Sequence, residues 1–187
     1  QGMISKNQNI NKDYWEKNIE GFSGFYDTHS EENIAAPTWF ASVYKKIIFP
    51  VEKKYMRDRY NYVCRYIDSN VKKGMKVADI GCGSGVYTKR MIEKGAFVYA
   101  MDYTESALNL TKKNLLPEEA KFTELLHLDI TLQKIPPVDL AISIGVLTYI
   151  DEAEEFFNNI LPFTGLFLFN YLSKDNFLNR LRSNLSL

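Results

Sequence analysis

The sequence predicts an α/β protein with a doubly wound, mostly parallel sheet and helices on both faces. Two observations support this prediction. From Met75 onward, short apolar runs alternate with helix-compatible segments, an order typical of parallel strands joined by crossover helices. The stretch Val77–Gly85 reads VADIGCGSG and joins an apolar strand to a glycine turn and the start of a helix.

The first 74 residues are rich in aromatic side chains and precede the alternating pattern. We predict helical stretches near residues 11–20, 38–48 and 51–69, with a loop at 21–37. In the third stretch, apolar residues recur at helical spacing and mark one buried face: Met56, Tyr60, Val63 and Ile67. This part of the chain is therefore predicted to form a helical cap rather than strands.

The second part of the chain is predicted to contain five strands and three main helices. The strands are expected at about 75–80, Ala96–Met101, about 121–128, Val138–Ser143 and about 165–171. The helices are expected at about 85–94, 105–114 and 151–160, with a short helix at 174–184. Gly95 is expected to end the first of these helices, and Thr104 to cap the start of the second.

Composition narrows the range of partners. The 23 basic and 23 acidic residues cancel, so the net charge does not indicate a nucleic acid or an anionic membrane surface. No apolar run approaches the ~18 residues of a membrane span, and no signal peptide is visible, which favours a cytoplasmic location. The two cysteines, Cys64 and Cys82, suggest neither a disulfide framework nor a metal site.

The glycine turn carries the most specific chemistry in the sequence. An acid, Asp79, precedes Gly81, Gly83 and Gly85, whose small size lets a ligand approach bare backbone at a helix start. A carboxylate there would repel a pyrophosphate, whereas it can hold an ammonium group. Val86 stands where the dinucleotide-binding fingerprint requires glycine, which disfavours a nicotinamide dehydrogenase.

The pattern Asp-x-Gly-x-Gly-x-Gly resembles motif I of the class I S-adenosylmethionine (SAM) dependent methyltransferases, and the resemblance extends from about Met75 to Leu172. It implies a Rossmann-like fold and SAM as cofactor, with S-adenosylhomocysteine (SAH) as product. It also implies in-line methyl transfer to an oxygen or nitrogen, less readily a carbon, of a small molecule. The family's sheet has seven strands, so the C-terminal strands are expected to be missing here.

These expectations divide the chain into a tag remnant at residues 1–2, an N-terminal helical lid at 3–74 and a SAM-binding core at 75–187. Two alternatives remain. The chain could be a SAM-binding regulatory or scaffold protein without transfer activity, or, with less support, an NAD-dependent dehydrogenase. Neither the acceptor nor the oligomeric state is encoded in a motif.

The resemblance assigns the ends of the first two strands to the cofactor's polar groups. It places Asp79 near the methionyl amino group, and backbone of Gly81, Cys82 and Gly83 close to the ligand. Asp102, which follows the second strand, is expected to accept hydrogen bonds from the two ribose hydroxyls, as acids do in dinucleotide sites.

The adenine and the sulfonium are assigned to the later loops. Tyr103 is expected to pack on the adenine face, Asp129 to accept from the adenine amine, and Ile130 to form an apolar wall. The backbone of Ile144 and the side chain of Tyr149 are expected near the sulfonium.

The methionyl carboxylate is assigned to the predicted lid. Tyr26 resembles a lid element that reaches this carboxylate in many such enzymes, and Arg59 is a second candidate through a bidentate pair. After the fourth strand the chain lacks the Asn/Asp-Pro-Pro-Tyr motif of enzymes that methylate DNA base amines, so no nucleic acid is expected. No catalytic acid or base is identified, because the sulfonium is already an activated methyl donor.

Overall fold

The computed structural model describes residues 12–17, 19 and 49–171. The predicted loop at 21–37 and the predicted helices at 38–48 and 174–184 lie outside the described residues. None of the helices in the described ranges has the length and apolar character needed to cross a membrane.

The strands of the described chain are β1 (Lys76–Ile80), β2 (Phe97–Asp102), β3 (Thr123–His127), β4 (Val138–Ser143) and β5 (Thr164–Phe169). The helices are α1 (residues 12–17), α2 (Phe49–Asn70), α3 (Val86–Glu93), α4 (Glu105–Asn114), α5 (Pro117–Ala120) and α6 (Ala153–Asn158). Short 3₁₀ turns lie at Leu147–Tyr149 and Leu161–Phe163. The predicted strand and helix order is confirmed; the four-residue helix α5 was not predicted.

The five strands form one sheet in the order β3-β2-β1-β4-β5, and every neighbouring pair is parallel. The order reverses between β1 and β4. In open α/β sheets, ligands bind at this switch point, outside the carboxyl ends of the strands. The predicted fold class is confirmed, and β5 is the last strand of the described residues.

Apolar side chains cover both faces of the sheet, which places helices on each side. On one face, Val63, Ile67 and Val71 of α2 or its end are at most 2% exposed and pack with Val77 of β1. On the other face, Phe156 of α6 is fully buried in a cluster with residues of β1 and β4. The predicted apolar face of α2 therefore forms part of the core.

Two predicted helix boundaries have different outcomes. Gly95 adopts φ 82° after α3 and its N–H donates to Ile92 O, which is the expected left-handed helix end. Thr104 does occupy the N-cap position of α4, but its hydroxyl does not cap the helix. That hydroxyl donates instead to Asp102 Oδ1 at 2.8 Å.

Candidate functional site

The glycine turn is held against the end of β2 by its own backbone. Gly81 and Cys82 both donate their N–H groups to Met101 O, at 2.8 and 2.9 Å. Gly81 and Gly85 have φ values of 74° and 78°, in the left-handed region that favours glycine. Space is also limited at both positions: a Cβ on Gly81 would overlap Val146 Cγ2, and one on Gly85 would lie 2.8 Å from a Thr111 methyl.

Asp102 connects this turn to the first turn of α4. Its Oδ1 accepts from Thr104 N and Thr104 Oγ1 at 3.0 and 2.8 Å, and its Oδ2 accepts from Gly83 N at 3.2 Å. The residue is 8% exposed, and burial, the largest influence, raises the pKa of the carboxyl despite these donors. A carboxylate can accept about four hydrogen bonds, so Oδ2 retains capacity toward a ligand hydroxyl.

Asp79 lies deeper than the sequence indicated. It is 2% exposed, and its Oδ2 accepts from the Thr88 hydroxyl of α3 at 2.6 Å. Burial raises the pKa of Asp79 to about 6, and the nearby Asp102 charge acts in the same direction, while hydrogen bonds from Thr88 oppose it. The carboxyl therefore ties β1 to α3 and carries a titratable charge at the base of the turn.

The side chain of Cys82 packs inside the fold beneath the glycine turn. Its side chain is 5% exposed, and Thr111 Oγ1 lies 3.5 Å from the sulfur. Burial, and then the Asp102 and Asp79 charges, raise the pKa of the thiol well above its usual value. A thiol that stays protonated is a poor nucleophile.

Tyr103 lies where several predicted site residues converge. Its pKa is raised by burial and then by the nearby Asp102, Asp129 and Tyr149 groups, which places all three within electrostatic range of its phenol. Its carbonyl oxygen is 3.0 Å from His127 Nε2 at the end of β3. The predicted adenosine contacts are thus brought together at one end of the sheet.

The β3 end differs from the prediction in its boundary. The strand stops at His127, so Asp129 lies in the following turn, where its Oδ1 accepts from Thr131 N and Thr131 Oγ1 at 2.9 and 2.8 Å. Ile130 is 6% exposed within the apolar cluster of α6, and its carbonyl accepts from Asn159 Nδ2. Ile130 therefore lies as a wall behind this turn.

The turn after β4 contacts the residue that follows β5 and a side chain of α2. Ile144 is buried, and Gly145, at φ 82°, donates its N–H to Asn170 Oδ1 at 2.6 Å. Arg59 Nη1 lies 3.8 Å from the position that a Cβ of Gly145 would occupy. The structure thereby brings Arg59 beside the strand end that was assigned to the sulfonium.

The helix α1 contacts this edge of the sheet as well. Glu16 accepts backbone hydrogen bonds from Glu105 and Ser106, and the Trp15 ring meets Tyr149 edge-on with centroids 5.4 Å apart. Tyr26, the other predicted lid contact, lies outside the described residues. Glu16 was missed because its partner on α4 is 89 residues away, and no local pattern signals such a pair.

Comparison with known proteins agrees with this geometry. Residues 78–163 match the family model described as a methyltransferase domain. A probable cobalt-precorrin-6B C(15)-methyltransferase of Methanocaldococcus jannaschii is 46% identical over 46 residues, covering 25% of this chain and 25% of that protein. A mitochondrial ubiquinone biosynthesis O-methyltransferase of Schizosaccharomyces pombe is 28% identical over 97 residues, covering 50% and 35%. The chain thus spans between a quarter and about a third of these curated relatives.

The fold is shared with solved methyltransferases. The magnesium protoporphyrin IX methyltransferase of Synechocystis PCC 6803 with bound SAM has a TM-score of 0.58 and 18% identity, over 83% of this chain and 69% of that one. The same enzyme with bound SAH has a TM-score of 0.60. The chain therefore contains a methyltransferase domain over residues 78–163, and its sheet has the class I, Rossmann-like fold of solved SAM-dependent methyltransferases.

Proposed function

We propose that the protein binds SAM at the carboxyl edge of its sheet and transfers the methyl group to a small-molecule acceptor in the cytoplasm. The observation that carries this proposal is the junction of the first two strands. There, buried Asp102 accepts from Gly83 of the glycine turn, and its charge acts on the phenol of the adjacent Tyr103. The acceptor atom is proposed to be oxygen or nitrogen, less readily carbon.

The residues present fit the cofactor. The buried carboxyl of Asp79 suits a cationic ligand and would repel the pyrophosphate of a dinucleotide, whereas the carboxyl of Asp102 suits a ligand with ribose hydroxyls. Asp102 would hold the ribose, Tyr103 and Ile130 the adenine, and Asp129 its amine. Asp79, sealed behind Thr88, is proposed to act on the methionyl ammonium through its field or through water rather than by direct contact.

Arg59 is proposed to bind the methionyl carboxylate. Its guanidinium lies near Gly145 in the turn after β4, the strand end to which the sulfonium is assigned. A guanidinium presents paired donors that match a carboxylate. When bound, SAM supplies an activated methyl group, so the protein's task is to orient the acceptor and exclude water.

The first test is the choice of cofactor. We expect isothermal titration calorimetry to show SAH or SAM binding at micromolar affinity or tighter, roughly −8 kcal/mol. NAD, titrated into the same protein, should give no comparable heat, because Val86 and Asp79 depart from the dinucleotide pattern. Tight NAD binding without SAM binding would overturn the proposal and favour a dehydrogenase.

The second test separates an enzyme from a silent SAM-binding protein. SAM is incubated with the protein and a panel of phenols, carboxylic acids and amines, and SAH production is measured. Turnover that depends on one acceptor class identifies an enzyme and its acceptor atom. Cofactor binding without acceptor-dependent SAH formation across the panel would favour the regulatory or scaffold alternative.

Replacement of Asp102 tests the ribose assignment. Asp102→Ala removes a charge-assisted hydrogen bond to the ribose worth about 1.5–3 kcal/mol, so SAH affinity should fall by on the order of tenfold or more. Asp139→Ala is the matched control. This aspartate accepts from Lys76 N where β1 and β4 begin, at the end of the strands away from the site. Equal affinity of a folded Asp102→Ala protein and the control would show that the ribose lies elsewhere.

A further inference from the structure

The N-terminus of α4 is capped by a side chain from a distant part of the chain. Glu16 Oε1 accepts from Glu105 N at 2.9 Å, and Glu16 Oε2 accepts from Ser106 N at 3.1 Å. The residue at the N-cap position, Thr104, has its hydroxyl committed to Asp102. The N–H groups of the first two residues of α4 are therefore satisfied by Glu16 of α1.

This cap acts on the segment that carries the predicted ribose and adenine contacts. Thr104 N donates to Asp102 Oδ1, so the chain from Asp102 to Ser106 is held at one end by β2 and at the other by Glu16. Burial opposes ionisation of Glu16, but hydrogen bonds from Ser106 and Glu105 outweigh it and lower the pKa of the carboxyl. The cap is therefore charged at neutral pH and favourable at the positive end of the helix.

Trp15 of α1 and Ile19, two residues beyond α1, make two further contacts at the carboxyl ends of the strands. Trp15 meets Tyr149, which lies in the turn after β4, with ring centroids 5.4 Å apart. The Ile19 side chain lies 3.7 Å from the position that a Cβ on Gly83 would take. The segment thus touches the loops that follow β1, β2 and β4, the same loops that are assigned to the cofactor.

We infer that Glu16 is a positioning residue for the cofactor: by capping α4 it docks α1 across the site and holds Asp102 and Tyr103 in their binding arrangement. This inference rests on the proposed function. Docking of α1 and binding of the ligand should favour each other, because both depend on the same arrangement of the segment Asp102–Ser106.

The experiment uses SAH as the probe and three variants of the full chain. Glu16→Ala should weaken SAH binding about five- to tenfold, the scale of a lost N-cap, and mainly through faster dissociation in stopped-flow measurements. The amide of Glu16→Gln has one acceptor oxygen for two N–H donors, so the SAH affinity of this variant should lie between those of the wild type and Glu16→Ala. Asp13→Asn removes an exposed charge from the same helix and should bind SAH as the wild type does.

A second readout follows α1 directly. With Trp39 replaced by phenylalanine, the emission of Trp15 reports its packing on Tyr149. SAH should change this emission in the wild-type background and change it less in Glu16→Ala. If Glu16→Ala bound SAH with wild-type affinity and showed the wild-type emission response, this inference would be overturned while the proposed function would stand. Failure of the wild-type protein itself to bind SAH would instead overturn the proposed function, and this inference with it.

Discussion

Gly81→Ala is expected to be the most damaging single methyl addition in the glycine turn. The left-handed φ of Gly81 costs a residue with a Cβ about 1–2 kcal/mol. The overlap with Val146 Cγ2 adds about 1–3 kcal/mol, because Val146 packs against the apolar cluster that contains Phe156 and has limited room to shift. We therefore expect a loss of about 2–5 kcal/mol in the free energy of unfolding, measured by urea denaturation.

Gly74→Ala separates the two causes. Gly74 has a similar φ, 85°, but a Cβ there would find nothing within 4 Å. Its replacement should therefore cost only the backbone strain, about 1–2 kcal/mol. If Gly81→Ala and Gly74→Ala lost the same stability, the contact between the glycine turn and Val146 would be less close than the structure shows.

The stability of the protein is expected to fall as the pH rises toward neutrality, and Asp79 is the principal cause. The pKa of its carboxyl is about 6 in the fold, against an ordinary value of 3.8. The folded state therefore binds more protons than the unfolded state between these values, so the contribution to stability is full below pH 4 and is lost above pH 6. At about 1.4 kcal/mol for each pH unit, the loss amounts to about 2–3 kcal/mol.

Asp79→Asn isolates this effect, since the amide oxygen can still accept from Thr88. Urea unfolding between pH 4.5 and 7.5 should show a smaller decline in the variant, which should exceed the wild type in stability at pH 7.5. Asp68→Asn is the control: Asp68 pairs with Arg90 at the surface, which lowers the pKa of the carboxyl, so its removal should leave the slope over this range unchanged. Parallel slopes for wild type and Asp79→Asn would contradict the prediction.

The sheet could be predicted from the sequence because its strands are short apolar runs with clear ends. The prediction of β4 at Val138–Ser143 matches the observed bounds, since two prolines precede the strand and Gly145 follows it closely. The predicted β3 extended too far, to residue 128, because Leu128 is apolar but bonds to Asp102 O beyond the strand. Periodicity locates an element more reliably than it locates its last residue.

The candidate site could be predicted only where it is local in sequence. The glycine turn and Asp102 follow directly from strand ends, and the structure brings them together through the Gly83–Asp102 bond. The carboxyl of Asp79 accepts from Thr88 in the first turn of α3, and the contact between Asn170 and Gly145 joins two different strand ends. Such tertiary pairs leave no periodic signal in a single sequence, so sequence reasoning missed them.

The two halves of the site are built from residues that lie at very different separations along the sequence. The Gly83–Asp102 bond closes a loop of 19 residues, whereas the bond between Lys76 N and Asp139 Oδ2, which joins β1 to β4, spans 63. Loop-closure entropy makes the longer connection the costlier one, so the β1–β2 half can form before the β4 half joins it. A ligand that contacts both halves would add its binding energy to the connection with the larger entropy cost, and slower amide hydrogen exchange in β4 on addition of SAH would show this effect.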